Sequence, residues 1–162
     1  MKFLVAFLSA LFLSTSAMAQ VVPDDVVYKT NLSGAKQVPP VVTGITAEFI
    51  QTTLDNRWYL VVLGAPRDDQ IVAAHIHCAK TGMNGPVVYP FYGGAPRRNL
   101  LIKGSIEDSK FAPYVVDPMV CPVEIKTLPQ LRLAIRAGYI YVNVHTQKHP
   151  GGAVRGQVFR LI

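Results

Sequence analysis

The amino-acid sequence predicts an all-β protein: a Greek-key β-sandwich or barrel of about seven or eight antiparallel strands with one short helix. Three observations carry that prediction. Short runs rich in Val, Ile, Tyr and Phe recur along the chain, separated by Gly, Pro and Asn/Asp turns. Several of these runs alternate apolar with polar residues, the period of a half-buried strand. Only one stretch repeats its apolar residues at helical spacing.

Val26 to Leu32 ("VVYKTNL") reads as the first strand, and the paired prolines of "SGAKQVPPVVTG" make the next segment a loop or an irregular edge. Ile45 to Thr52 sets Ile45, Ala47 and Phe49 against Thr46, Glu48 and Ile50. Asp55-Asn56 turns this strand into "WYLVVL", residues 58 to 63. Pro66 to Asp69 turns the chain into "IVAAHIH", and "MNGP", with Asn84-Gly85 as turn chemistry, leads to "VVYPFY". Leu100 to Ile106 is a further strand. Thr127-x-x-Gln130 is a capping-box pattern with Pro129 tolerated in the first turn. Leu128, Leu131, Ala134 and Ile135 share one face of the helix it opens, and Gly138 is its expected stop. "YIYVNVH" and then Ala153 to Leu161 complete the strands. Trp58 and the tyrosines of "YIY" read as packing and surface residues.

The first nineteen residues carry one positive residue (Lys2), an apolar run from Phe3 to Leu13 and the small-x-small sequence Ala17-Met18-Ala19. That is the layout of a secretory signal peptide, with residues 20–162 as the expected mature domain. The apolar run is shorter than the roughly 20 residues that span a bilayer, so a secreted or periplasmic protein without a transmembrane anchor is expected. Sixteen Lys+Arg stand against ten Asp+Glu; without Lys2 the balance is fifteen to ten, a net charge of +5. The basic residues are scattered, with Arg97-Arg98 the one adjacent pair, and form no stripe that would suit nucleic acid. In an oxidising compartment Cys78 and Cys121 are expected to pair. Asn31-Leu32-Ser33 is a glycosylation acceptor pattern where the host is eukaryotic.

All four histidines fall in two short segments, His75 and His77 in "AAHIHCAKTGMNGPV" and His145 and His149 in "NVHTQKHPGG". Alternate strand residues share a face, so His75 and His77 project together, about 7 Å apart along the strand. Ile76 and Cys78 then point the other way. If Ile140, Val142 and Val144 face the core, His145 faces outward. Should the two strands be neighbours, three imidazoles converge on the outer face of one sheet. Three imidazoles with an open position suit copper or zinc, and His149 lies where it could complete or gate such a site. The alternative is a polar strand face whose histidines bond backbone carbonyls.

Standard catalytic constellations are missing. No Gly-x-Ser-x-Gly elbow and no His-Glu-x-x-His occurs, and the acidic residues, Asp24-Asp25 and Asp68-Asp69 among them, fall in expected turns as solvated carboxylates do. Neither cysteine has the His and Met spacing of a blue-copper loop.

"NLSGAKQVPPVVTGITAEF", "AAHIHCAKTGMNGPVV" and "LRLAIRAGYIYVNVHTQKHPGGAVRGQV" together resemble the CHRD (chordin-type) domain family, in the same order and over nearly all of the mature chain. The resemblance implies a small extracytoplasmic all-β domain of the kind repeated in chordin, a secreted binder of growth factors. A more limited similarity runs to the copper-zinc superoxide dismutases, where His75, His77, His145 and Arg155 have counterparts. It implies copper at the histidines and gives Arg155 the role of attracting a small anion. The bridging histidine and the zinc loop of that enzyme have no match, since no histidine lies between Cys78 and Cys121; this argues against a dinuclear centre and leaves a mononuclear one. Two functions follow as expectations. The first is an exported, non-enzymatic binding or structural module with an extracytoplasmic ligand or protein as partner. The second is a mononuclear, superoxide dismutase-like copper protein using His75, His77 and His145, with copper storage or superoxide-type redox chemistry as its role. A growth-factor or matrix-protein binder is a third, by analogy with chordin alone.

Overall fold

The structure, a computed structural model, describes residues 26–161. The expected leader peptide and Asp24-Asp25 lie outside these residues. The described residues form nine strands: β1 (Val27–Leu32), β2 (Thr46–Thr52), β3 (Arg57–Leu63), β4 (Ile71–Cys78), β5 (Val87–Arg97), β6 (Leu100–Ser105), β7 (Ile140–Thr146), β8 (Val154–Gln157) and β9 (Phe159–Arg160). They build two antiparallel sheets, ordered β6-β3-β2-β1-β9 and β5-β4-β7-β8. The chain crosses between sheets after β3, β5, β6 and β8, as a Greek key requires.

Each strand turns its apolar alternate residues inward. Phe49 of β2 and Leu60 and Val62 of β3 share one continuous core with Ala74 and Ile76 of β4 and Val142 and Val144 of β7. Ile45, Ala47 and Phe49 are buried as their alternation predicts, and Asn56 takes a positive φ of 55° in the turn before β3. Pro90 sits opposite His75 in β5 without breaking the sheet, because β5 is an edge strand, where a residue without an N–H is tolerated.

The expected last strand divides in two. Val158 is buried and its N–H donates to the Ile140 carbonyl at 2.8 Å, after which β9 pairs with β1 in the other sheet. Ser33 and Arg155 exchange two backbone hydrogen bonds beside this crossing, joining β1 to β8 and partly closing the sandwich.

Helix α1 (Leu128–Arg136) follows its sequence signals. The Thr127 hydroxyl accepts the Gln130 N–H, while the Gln130 side chain accepts the Lys126 N–H at 2.8 Å, satisfying two N-terminal donors. Leu131, Ala134 and Ile135 are buried, and Gly138, at φ 77°, ends the helix in the left-handed conformation. Cys78 and Cys121 form the expected disulfide, which ties the segment before α1 to the end of β4. No described helix is long and apolar enough to cross a membrane.

Candidate metal centre

The histidines are placed by the pleat of two adjacent strands. On β4, Ala74, Ile76 and Cys78 point into the core, which sends His75 and His77 to the opposite face. On β7, Ile140, Val142 and Val144 do the same and send Tyr141, Asn143 and His145 outward. The strands are neighbours, with His75 opposite Asn143, His77 opposite Tyr141 and His145 opposite Ala73. The rings of His77 and His145 lean toward each other along the strands, to a centroid separation of 5.7 Å.

One ring nitrogen from each of His75, His77 and His145 lies within 4.8 Å of the others. Hydrogen bonds fix which nitrogen each ring offers. His77 Nδ1 lies 3.0 Å from the Gly85 carbonyl and His145 Nδ1 lies 2.8 Å from the Pro150 carbonyl. A carbonyl only accepts, so both Nδ1 atoms carry the proton and both Nε2 atoms keep a lone pair. His77 Nε2 is buried with no hydrogen-bond partner. His145 Nε2 lies 3.1 Å from His75 Nδ1, so one proton sits between those two atoms. With that proton moved to His75 Nε2, the other neutral tautomer of the ring, a metal ion would meet three neutral nitrogens, His75 Nδ1, His77 Nε2 and His145 Nε2. Metal–imidazole bonds of about 2.0–2.1 Å place ligand nitrogens no more than about 4 Å apart, so the three rings would have to draw slightly closer together to hold an ion.

Electrostatics support the neutral form. Burial pushes the imidazoles of His75 and His77 down to about 4, in His77 against the opposing pull of the Gly85 carbonyl. His145 is also lowered by burial, opposed by the Pro150 carbonyl. Neutral imidazole is the metal-binding form.

The outer face is not the open surface that the sequence predicts. His77 is 7% and His145 8% exposed, because loops cover this side of the sheet. Gln37 donates to the Asn143 side chain at 2.6 Å, Asn143 donates to the Gly151 carbonyl, and Asn84 donates to the Val38 carbonyl at 2.7 Å. His75 is the more open of the three rings.

His149 lies outside the triple cluster. Its Nε2 is 3.6 Å from Asp69, a carboxylate only 6% exposed that also accepts the Lys148 N–H at 2.8 Å. Asp69 is therefore not the solvated turn residue expected; it holds the loop that presents the Pro150 carbonyl to His145. Asp68 remains exposed and pairs with Lys148. Arg155 is 2% exposed, and its guanidinium donates to Asn84 Oδ1 and the Lys80 carbonyl while lying 3.5 Å over the Tyr141 ring. Tyr141 is a buried part of the centre, stacked on His77 with planes 16° apart. Asn84-Gly85 does more than turn the chain, since it supplies the carbonyl that orients His77 and the amide oxygen that holds Arg155. Gln37, Asp69, Tyr141 and Gly85 gave no functional signal in sequence, because their roles arise from contacts with distant segments.

A Greek-key sandwich with one disulfide and three imidazoles gathered under loops on one sheet defines an all-β domain with a candidate mononuclear metal centre. The family model for the CHRD domain matches residues 28–158, and the chain belongs to that family. No curated protein and no solved structure matches the chain, and the similarity to superoxide dismutase rests on the residues quoted for it.

Proposed function

We propose that this protein is an exported CHRD module that binds one copper ion through His75 Nδ1, His77 Nε2 and His145 Nε2, and that it works as a binding module. The observation that carries the reading is the pair of backbone carbonyls at Gly85 and Pro150. Each accepts a hydrogen bond from the Nδ1–H of one histidine and thereby aims the other nitrogen at a shared point. Orientation of ligating histidines by such partners is the usual support of a metal site. Export is supported by the N-terminal leader pattern and by the disulfide, a bond that persists in oxidising compartments. A binding role is supported by membership of the CHRD family.

Copper supplies a positive centre with affinity for imidazole nitrogen; the chain itself supplies orientation, partial exclusion of water and one more open side at His75. The test is metal titration of the protein purified after export. One copper ion per chain is expected by metal analysis, with nitrogen hyperfine structure in the spin-resonance spectrum of the oxidised Cu(II) form, and with loss of the bound ion in both His75→Ala and His145→Ala. A wild-type protein that takes up no stoichiometric copper leaves the histidines as loop tethers.

A further inference from the structure

Resting on that reading, we propose that the centre is biased toward monovalent copper and that Arg155 is the residue that sets the bias. The first ground is a layered stack beside the ligands. Strands β4 and β8 flank β7, so His77 and Arg155 approach the Tyr141 ring from opposite sides. The guanidinium carbon stands 3.5 Å from the ring centroid on one side, and the imidazole centroid stands 4.9 Å away on the other. A permanently charged group is thus held one aromatic ring away from a metal ligand.

The second ground is that this charge is uncompensated. Both hydrogen bonds of the Arg155 guanidinium go to neutral oxygens, those of Asn84 and Lys80, and no ion pair forms at Arg155 among the described residues. The triple cluster contains histidines only. Asp69, the buried carboxylate of the neighbouring loop, is engaged by His149 and the Lys148 N–H. Each unit of positive charge added to a half-buried site beside a fixed cation raises the energy, and a divalent ion brings twice as much as a monovalent one. Coordination adds to the bias: three nitrogens suffice for a monovalent d10 ion, whereas divalent copper prefers a tetragonal set.

The experiment measures affinity for Cu(I) and Cu(II) separately, by competition with chelators specific for each, together with the midpoint potential of the bound ion. In the wild type the midpoint is expected above that of free copper in the same buffer. Arg155→Met removes the charge and keeps much of the side-chain length; it should lower the Cu(I)/Cu(II) affinity ratio by about tenfold or more. Arg155→Lys keeps the charge and should stay close to the wild-type ratio. Asn84→Asp neutralises Arg155 in place and should lower the ratio as Arg155→Met does, which preserves the test if the latter variant fails to fold. An unchanged ratio in folded, copper-loaded Arg155→Met or Asn84→Asp overturns the role of Arg155. A wild-type midpoint at or below that of free copper overturns the bias itself. Failure of the wild type to bind either ion rejects the copper reading on which the inference rests.

Discussion

The Nδ1–H of His77 donates to the Gly85 carbonyl at 3.0 Å, across a turn that also holds the Tyr141 hydroxyl. Gly85 can hold this position only without a side chain. A Cβ there would collide with the Cys78 carbonyl oxygen and crowd the Ala79 Cβ at 2.9 Å. Gly85→Ala is therefore expected to cost about 2 kcal/mol or more of stability and to weaken copper binding by roughly 10–100-fold through misorientation of His77. Chemical denaturation and copper titration of the variant check the two effects separately. A variant as stable as the wild type would show that the turn relaxes freely.

Asp69 acts at the other carbonyl. By anchoring Lys148 and His149 it fixes the loop that carries Pro150. Asp69→Ala is expected to destabilise the fold by about 1 kcal/mol, the net worth of a hydrogen bond to a charged acceptor in a part-buried loop, and to weaken copper binding as well. His149→Ala should keep the copper stoichiometry at one, because His149 stands outside the triple cluster. Loss of the bound ion in His149→Ala would make that residue a ligand.

The metal-free protein should lose stability in weak acid. Burial holds His75 and His77 near about 4 against an ordinary value of 6.5, so the unfolded chain takes up protons that the folded one refuses. This contribution is intact above about pH 6.5 and is lost as the pH falls from there toward about 4. The combined loss should be roughly 2–4 kcal/mol, with part-exposed His75 contributing the smaller share because water screens it. Denaturation midpoints compared at pH 7.5 and pH 4.5 read the effect. His77→Gln should flatten most of the difference, and a wild-type profile that is already flat would contradict the burial argument.

The disulfide closes a loop between residues 43 apart in sequence. The chain-entropy model gives about 4 kcal/mol for a loop of that length. Reduction should lower the unfolding free energy by that order, and because Cys78 follows His77 directly, copper affinity should fall with it. Equal denaturation curves with and without reductant would show that the segment before α1 is held by packing alone.

Much of the fold was legible because strand alternation, turn residues and helix caps act over a few neighbours. The face shared by His75 and His77 follows from the pleat alone, and so does the inward direction of Ile76 and Cys78. The capping box at Thr127 and the stop at Gly138 are equally local. The division of the last strand at Val158 was not legible, since nothing within Ala153 to Leu161 tells the chain to change sheets; the Ile140 carbonyl does.

The sequence by itself determined that this chain is a disulfide-bearing β protein with three histidines on compatible strand faces, because side-chain direction is a property of the local backbone. Only the tertiary structure decided that β4 and β7 are partners, so that His75 and His145, 70 residues apart, come within 3.1 Å. It also placed the loops that bury the rings, sent His149 to Asp69 and set Arg155 against Tyr141. Pairing and cover depend on free energy summed over distant segments, which no short stretch of sequence carries.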